Sequence, residues 1–190
     1  MSKVLTKVFL SSVLILLIVS NCKTKGVVTN NNNSTQNTEE TIIVGKDIVG
    51  KIAKVDLEYG EHAKWFNKEI STYKVDTETL SDFENNPERI KALSVKIFMG
   101  TWCEDSQREV PRFINILSFL GVTNYEIIGL NTNKQSPQGY ENGMNINYVP
   151  TFIIYQNGKE VNRIIESPVV TLEKDLVAIL QAKKYTPNYQ

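Results

Sequence analysis

The residues best suited to chemistry lie together at Trp102-Cys103-Glu104-Asp105-Ser106. An apolar run at residues 92–99 precedes them, and an amphipathic helical pattern follows. A cysteine between a strand and a helix stands at a helix N-terminus. Free backbone N–H groups and the helix dipole there favour the thiolate, the form that attacks disulfides. Ser106, one turn on, is placed to donate a hydrogen bond to the sulfur. Glu104 and Asp105 oppose a second negative charge, and Arg108 offsets part of that repulsion. The expected thiol is therefore activated, but not extremely so. Trp102 is expected to cover one side of it and limit access.

A second group is Val149-Pro150-Thr151, directly before the apolar run at 152–155. An X-Pro bond is where a cis peptide costs little, and Val149 before it is expected to be extended. A trans proline at a strand start is the other reading.

These groups need elements to hold them. Residues 93–99 read as a strand. The helix from 103 shows one apolar face through Val110, Phe113, Ile114, Leu117 and Leu120. Pro111 lies inside that pattern and either kinks the helix or ends a short first one. Residues 125–130 read as a strand alongside the first, followed by a polar loop from Asn131 to Tyr140. Residues 152–155 and 160–165 form a hairpin whose tight turn is Asn157-Gly158. A last helix carries Leu172, Leu176, Ile179 and Leu180 on one face. Upstream, residues 42–44 and 48–55 are β-prone. Residues 61–73 have helical spacing, and a short helix within 77–91 breaks near Pro87.

The order strand, helix, strand, loop, strand, strand, helix, with the cysteine at the helix start and the proline before the later strand, resembles the thioredoxin-like family. The resemblance spans about residues 90–183, with 46–89 as an N-terminal extension. It implies an α/β, thioredoxin-like three-layer fold with a central mixed sheet flanked by helices. It implies that Pro150 is cis and faces Cys103, and that a proline kink follows in the helix. It also implies that the Val149 backbone pairs with an extended segment of a partner, a short β-augmentation. Cys103 and Ser106 are then the catalytic candidates, and Trp102, Val149 and Pro150 the substrate-binding ones. Two departures matter. Ser106 stands where a dithiol member has its second cysteine, so this is a Cys-x-x-Ser variant. Ile97 stands where many members carry a buried aspartate that assists proton transfer.

The N-terminus has its own signals. Lys3 and Lys7 precede an apolar run at 8–19, too short for a comfortable membrane span. Val19-Ser20-Asn21-Cys22 follows and resembles a bacterial lipoprotein signal, with Asn21 at a position usually Gly, Ala or Ser. Residues 1–21 are then the signal peptide, the alternative being an ordinary signal peptide or an uncleaved anchor. Cys22 becomes the lipidated residue, and 22–45 a flexible tether. The run Asn30-Asn31-Asn32-Asn33 and the polar residues after it offer nothing apolar to offset the entropy of ordering. The thioredoxin-like domain takes 46–190. The expected location is the cell envelope, with Cys22 anchored in the outer membrane and the domain in the periplasm or at the cell surface.

Charge and cysteine count narrow the function. The chain has 21 basic and 21 acidic residues. Without Lys3 and Lys7 the balance is 19 to 21, or −2. That gives no basis for nucleic-acid binding. Of two cysteines, Cys22 is assigned to lipid, leaving Cys103 as the free thiol. His62 is the single histidine, and no ligand-spaced Cys or His accompanies it, so neither a metal nor another cofactor is expected. His62 itself reads as solvent-facing or helix-capping. A thiolate at Cys103 can form a mixed disulfide, which only an external thiol then releases. Monothiol exchange with exported proteins or small thiols and disulfides is the leading expectation, for a monomer. A peptide-binding module, a sensor thiol oxidised to sulfenic acid, and a fold with decayed activity are the alternatives.

Overall fold

The computed structural model describes residues 41–189. The signal segment, Cys22 and the asparagine run fall outside the described residues. Six strands form one mixed sheet: β1 (Ile42–Val44), β2 (Asp47–Ile52), β3 (Leu93–Met99), β4 (Tyr125–Gly129), β5 (Thr151–Gln156) and β6 (Lys159–Ile165). Their order across the sheet is β1-β2-β4-β3-β5-β6. Only β3 and β4 run parallel; every other neighbouring pair is antiparallel. The helices are α1 (Lys54–Glu58), α2 (Ala63–Thr72), α3 (Thr77–Glu84), α4 (Glu104–Phe119) and α5 (Leu172–Leu180), with a 3-10 turn at Pro87–Arg89.

This is the expected thioredoxin-like α/β architecture. The hairpin turn at Asn157 and Gly158 has φ of 53° and 74°, as a type I′ turn requires. Pro111 lies inside α4 and does not end it. Its ring removes the N–H that would have bonded the carbonyl of Gln107. The helix stops later, at Gly121 with φ 70°. There Val122 N–H donates to Leu117 O at 2.8 Å and Gly121 N–H to Ser118 O at 3.1 Å, a Schellman closure.

The N-terminal extension belongs to the same sheet. Ile42-Ile43-Val44 pairs with β2, so the folded region reaches back beyond residue 46 into the stretch read as tether. β2 then lies beside β4, with Gly50 opposite Gly129. The approach is close. A β-carbon on Gly129 would stand 2.2 Å from the carbonyl oxygen of Ile48.

Strand alternation separates two cores. Val95, Ile97 and Met99 of β3 face the larger one, with Phe66 of α2, Leu80 and Phe83 of α3, Val110 and Phe113 of α4, and Leu176 of α5. Phe113 meets Phe152 of β5 at 4.5 Å between ring centroids. Each such side chain contributes roughly 1.5–3 kcal/mol by leaving water. Phe98, Ile128 and Ile153 face the other way, with Ile146 and Val149. The helices crowd the first face. The second is covered by the 131–149 loop, whose Pro137, Gly139 and Gly143 interrupt any helix there.

Two buried carboxylates on α5 tie distant segments to the larger core. Glu173 accepts from Tyr73 O–H at 2.9 Å and Asp76 N–H at 3.1 Å. Asp175 accepts from Val169 N–H at 2.6 Å, Val170 N–H at 3.1 Å and Tyr185 O–H at 2.9 Å. Both tyrosines are held above the ordinary phenol range, first by burial. The Glu173 bond adds to this for Tyr73, and the Asp175 charge for Tyr185. A phenol with a raised folded pKa keeps its proton longer folded than unfolded. Its contribution is complete below the unfolded value of 10.0 and is lost as pH rises above it. Unfolding free energy is therefore expected to fall from about pH 10 upward. In Tyr185→Phe the fall is expected to be shallower. An equal slope in both proteins would show that Tyr185 is not the titrating group.

Candidate active site at Cys103

Cys103 is the N-cap residue of α4, extended at φ −93° and ψ 123°. The turn before it closes by Cys103 N–H donating to Gly100 O at 3.0 Å. The first helical bond runs from Gln107 N–H to Cys103 O at 2.9 Å. The thiol is half-buried and donates to Val149 O at 3.2 Å. The Val149-Pro150 bond is cis. Cys103, Trp102, Val149 and Pro150 are thus brought together from two segments, with Val149 and Pro150 buried.

Ser106 is fully buried, and its role differs from the one expected. Its Oγ accepts from Gly100 N–H at 3.2 Å, and no hydrogen bond joins it to the sulfur. The hydroxyl holds the loop that presents Cys103, while the thiol points to Val149. The reason is local: α4 starts so directly after Gly100 that its first turn faces the returning loop backbone. Ile97 is wholly buried among apolar side chains, so no carboxylate stands beneath the site at that position.

Trp102 packs its indole over Gly100, where a β-carbon would stand 2.5 Å from the ring. Its Nε1–H donates to Leu130 O at 2.9 Å, fixing the ring against the end of β4. Arg108 pairs with Asp105 at 2.5 Å, as the charge balance required, and also with Glu109 at 2.6 Å. Glu104 remains exposed.

Two contributors carried no sequence signal. Thr101, buried in the Cys103 loop, accepts from Ile48 N–H at 3.2 Å and donates to Asp47 Oδ1 at 3.3 Å. Gln107 Nε2 donates to Thr101 O at 2.7 Å. The loop is therefore locked onto β2 by residues some fifty positions away, which no local pattern could disclose. His62 takes the N-cap position of α2, but its side chain makes no capping bond. It packs edge-on to Trp65 at 5.8 Å instead. A cavity of about 370 Å³ lies between Trp65, His62, Thr101, Trp102 and Gln107. Cys103 does not line it; its thiol is turned instead to Val149 O. Among the described residues, no group of three His, Cys, Asp or Glu could hold a metal ion.

No family model and no curated protein matches the chain. Solved structures do. Fasciola hepatica thioredoxin is 19% identical over 55% of this chain and 93% of its own, at a TM-score of 0.36. Trxlp from Edwardsiella tarda EIB202 is 18% identical over 56% and 94%, at 0.36. Chlamydomonas reinhardtii thioredoxin f2 is 19% identical over 54% and 94%, at 0.37.

Proposed function

We propose that this chain is a monothiol thiol–disulfide exchange protein acting through Cys103. The observation that supports this most directly is the Cys103 thiol 3.2 Å from Val149 O beside the Pro150 peptide, with a buried serine at 106. The Cys103 thiolate attacks one sulfur of a partner disulfide. The partner's S–S bond breaks as the Cys103–partner bond forms. The departing sulfur leaves as a thiolate and takes a proton from water. One disulfide replaces another, so no net oxidation occurs. Ser106 has no sulfur with which to resolve the product, so a second, external thiol completes the cycle.

The partner is an exported protein or a small disulfide, with its extended segment laid along Val149. Lipid on Cys22 would keep the domain in the cell envelope. Mass spectrometry of the mature N-terminus tests that anchor, and an unacylated, freely soluble wild-type protein would remove it.

The test of exchange is trapping. Wild-type protein, quenched with acid and alkylated, is expected to carry partners that a reductant releases. Cys103→Ser is expected to carry none. Equal recovery of the same partners with both would instead favour a binding module with an incidental cysteine.

A further inference from the structure

We propose that Tyr189, at the end of the C-terminal tail, is a gate residue that sets how bulky a partner Cys103 admits. This deepens the exchange reading but rests on geometry of its own. The tail is pinned at successive points. Tyr185 O–H donates to Asp175 at 2.9 Å, and Asn162 Nδ2 donates to Tyr185 O at 3.3 Å. Asn188 Nδ2 donates to Ser167 O at 3.0 Å and Pro168 O at 3.2 Å. The Tyr189 ring then stacks on Tyr148, 4.6 Å between centroids and 26° between planes.

Tyr148 directly precedes Val149, whose carbonyl receives the Cys103 thiol. Glu166 closes the same corner, its N–H donating to Pro150 O at 2.7 Å. Glu166 sits in the left-handed region, at φ 63°, which side-chain-bearing residues rarely adopt. The Tyr189 hydroxyl is bonded to the Glu166 carboxylate, which holds it above the ordinary phenol range; the Asp105 carboxylate adds to this from the first turn of α4. The ring therefore lies on the residue that leads into the Val149-Pro150 peptide, whose Val149 carbonyl receives the Cys103 thiol. Trp102 closes the opposite side, against Leu130.

Tyr148 and Tyr189 remain 37% and 39% exposed, so the pair is a removable wall. An aromatic stack of this kind biases the closed arrangement by about two- to tenfold, and a bulky partner must displace it. A small reagent need not.

The test compares two alkylating reagents on the full chain: N-ethylmaleimide, and a maleimide carried on a polyethylene glycol chain. In Tyr189→Ala the bulky reagent is expected to react about two- to tenfold faster, with N-ethylmaleimide unchanged. Tyr189→Phe keeps the ring and is expected to retain most of the wild-type selectivity. An unchanged ratio of the two rates in Tyr189→Ala, or a slower bulky reaction, would overturn the gate. Alkylation does not depend on exchange activity. A normal size ratio in protein that forms no mixed disulfide with a cystine-linked peptide would leave the gate standing and sink the exchange reading.

Discussion

On the proposed exchange reading, Ser106→Cys is expected to let the site resolve a mixed disulfide that the serine leaves to an external thiol. Positions 103 and 106 lie one helical turn apart on the same face. The new thiol would stand, buried, where Ser106 Oγ accepts from Gly100 N–H at 3.2 Å, one turn along α4 from the Cys103 sulfur. Sulfur accepts that bond poorly, so a loss of about 1 kcal/mol in stability accompanies the change. Reduction of insulin disulfides with an external dithiol is expected to rise on the order of tenfold or more, because the second exchange becomes intramolecular. The variant should also lose its alkylatable thiols on mild oxidation. If it keeps both thiols free under oxidant, the first turn of α4 does not present the two positions to each other.

The second large effect concerns stability. Asp175 is 2% exposed and accepts from three donors. Asp175→Ala leaves the amides of Val169 and Val170 and the Tyr185 hydroxyl without that acceptor. Each abandoned buried donor costs about 1–3 kcal/mol, and water recovers part of this near the surface. A loss of about 3–4 kcal/mol is expected in urea unfolding, against about 1–2 for Asp175→Asn, which keeps one acceptor oxygen. The loss should come with a freed C-terminal tail, read as faster proteolysis after residue 183. A loss below about 1 kcal/mol would show that water replaces the carboxylate fully.

Much of this was legible in the chain because it is local. The period-2 and period-3.6 patterns around Cys103, Asn157-Gly158 and Leu172 correspond to β3, α4, the β5–β6 hairpin and α5. The cis form of the Val149-Pro150 bond and its place beside Cys103 followed from the family resemblance, not from periodicity. What stayed hidden is long-range. Nothing in residues 47–52 says that they pair with β4, or that Asp47 and Ile48 grip Thr101. The direction of Ser106 is local but also hidden, because it depends on where the Gly100 backbone returns, which spacing alone does not fix. The C-terminal residues have no pattern at all, and their order comes from Asp175, Ser167 and Tyr148.

The uneven cover of the sheet has a consequence for local opening. Among the described residues, twenty-five buried ones hold the helical face, while six hold the loop-covered face on which Trp102 and Cys103 pack. Free energies of sub-global opening scale with the apolar surface each unit buries. The 131–149 segment is therefore expected to exchange its amide hydrogens through a low-energy fluctuation, while α4 and β3 exchange only near the global limit. The wall that carries Val149 thus belongs to the softer unit, and the helix that carries the sulfur to the harder one. On the proposed exchange reading, partners of different shape would be accommodated by breathing of one side alone, without disturbing the register of Cys103.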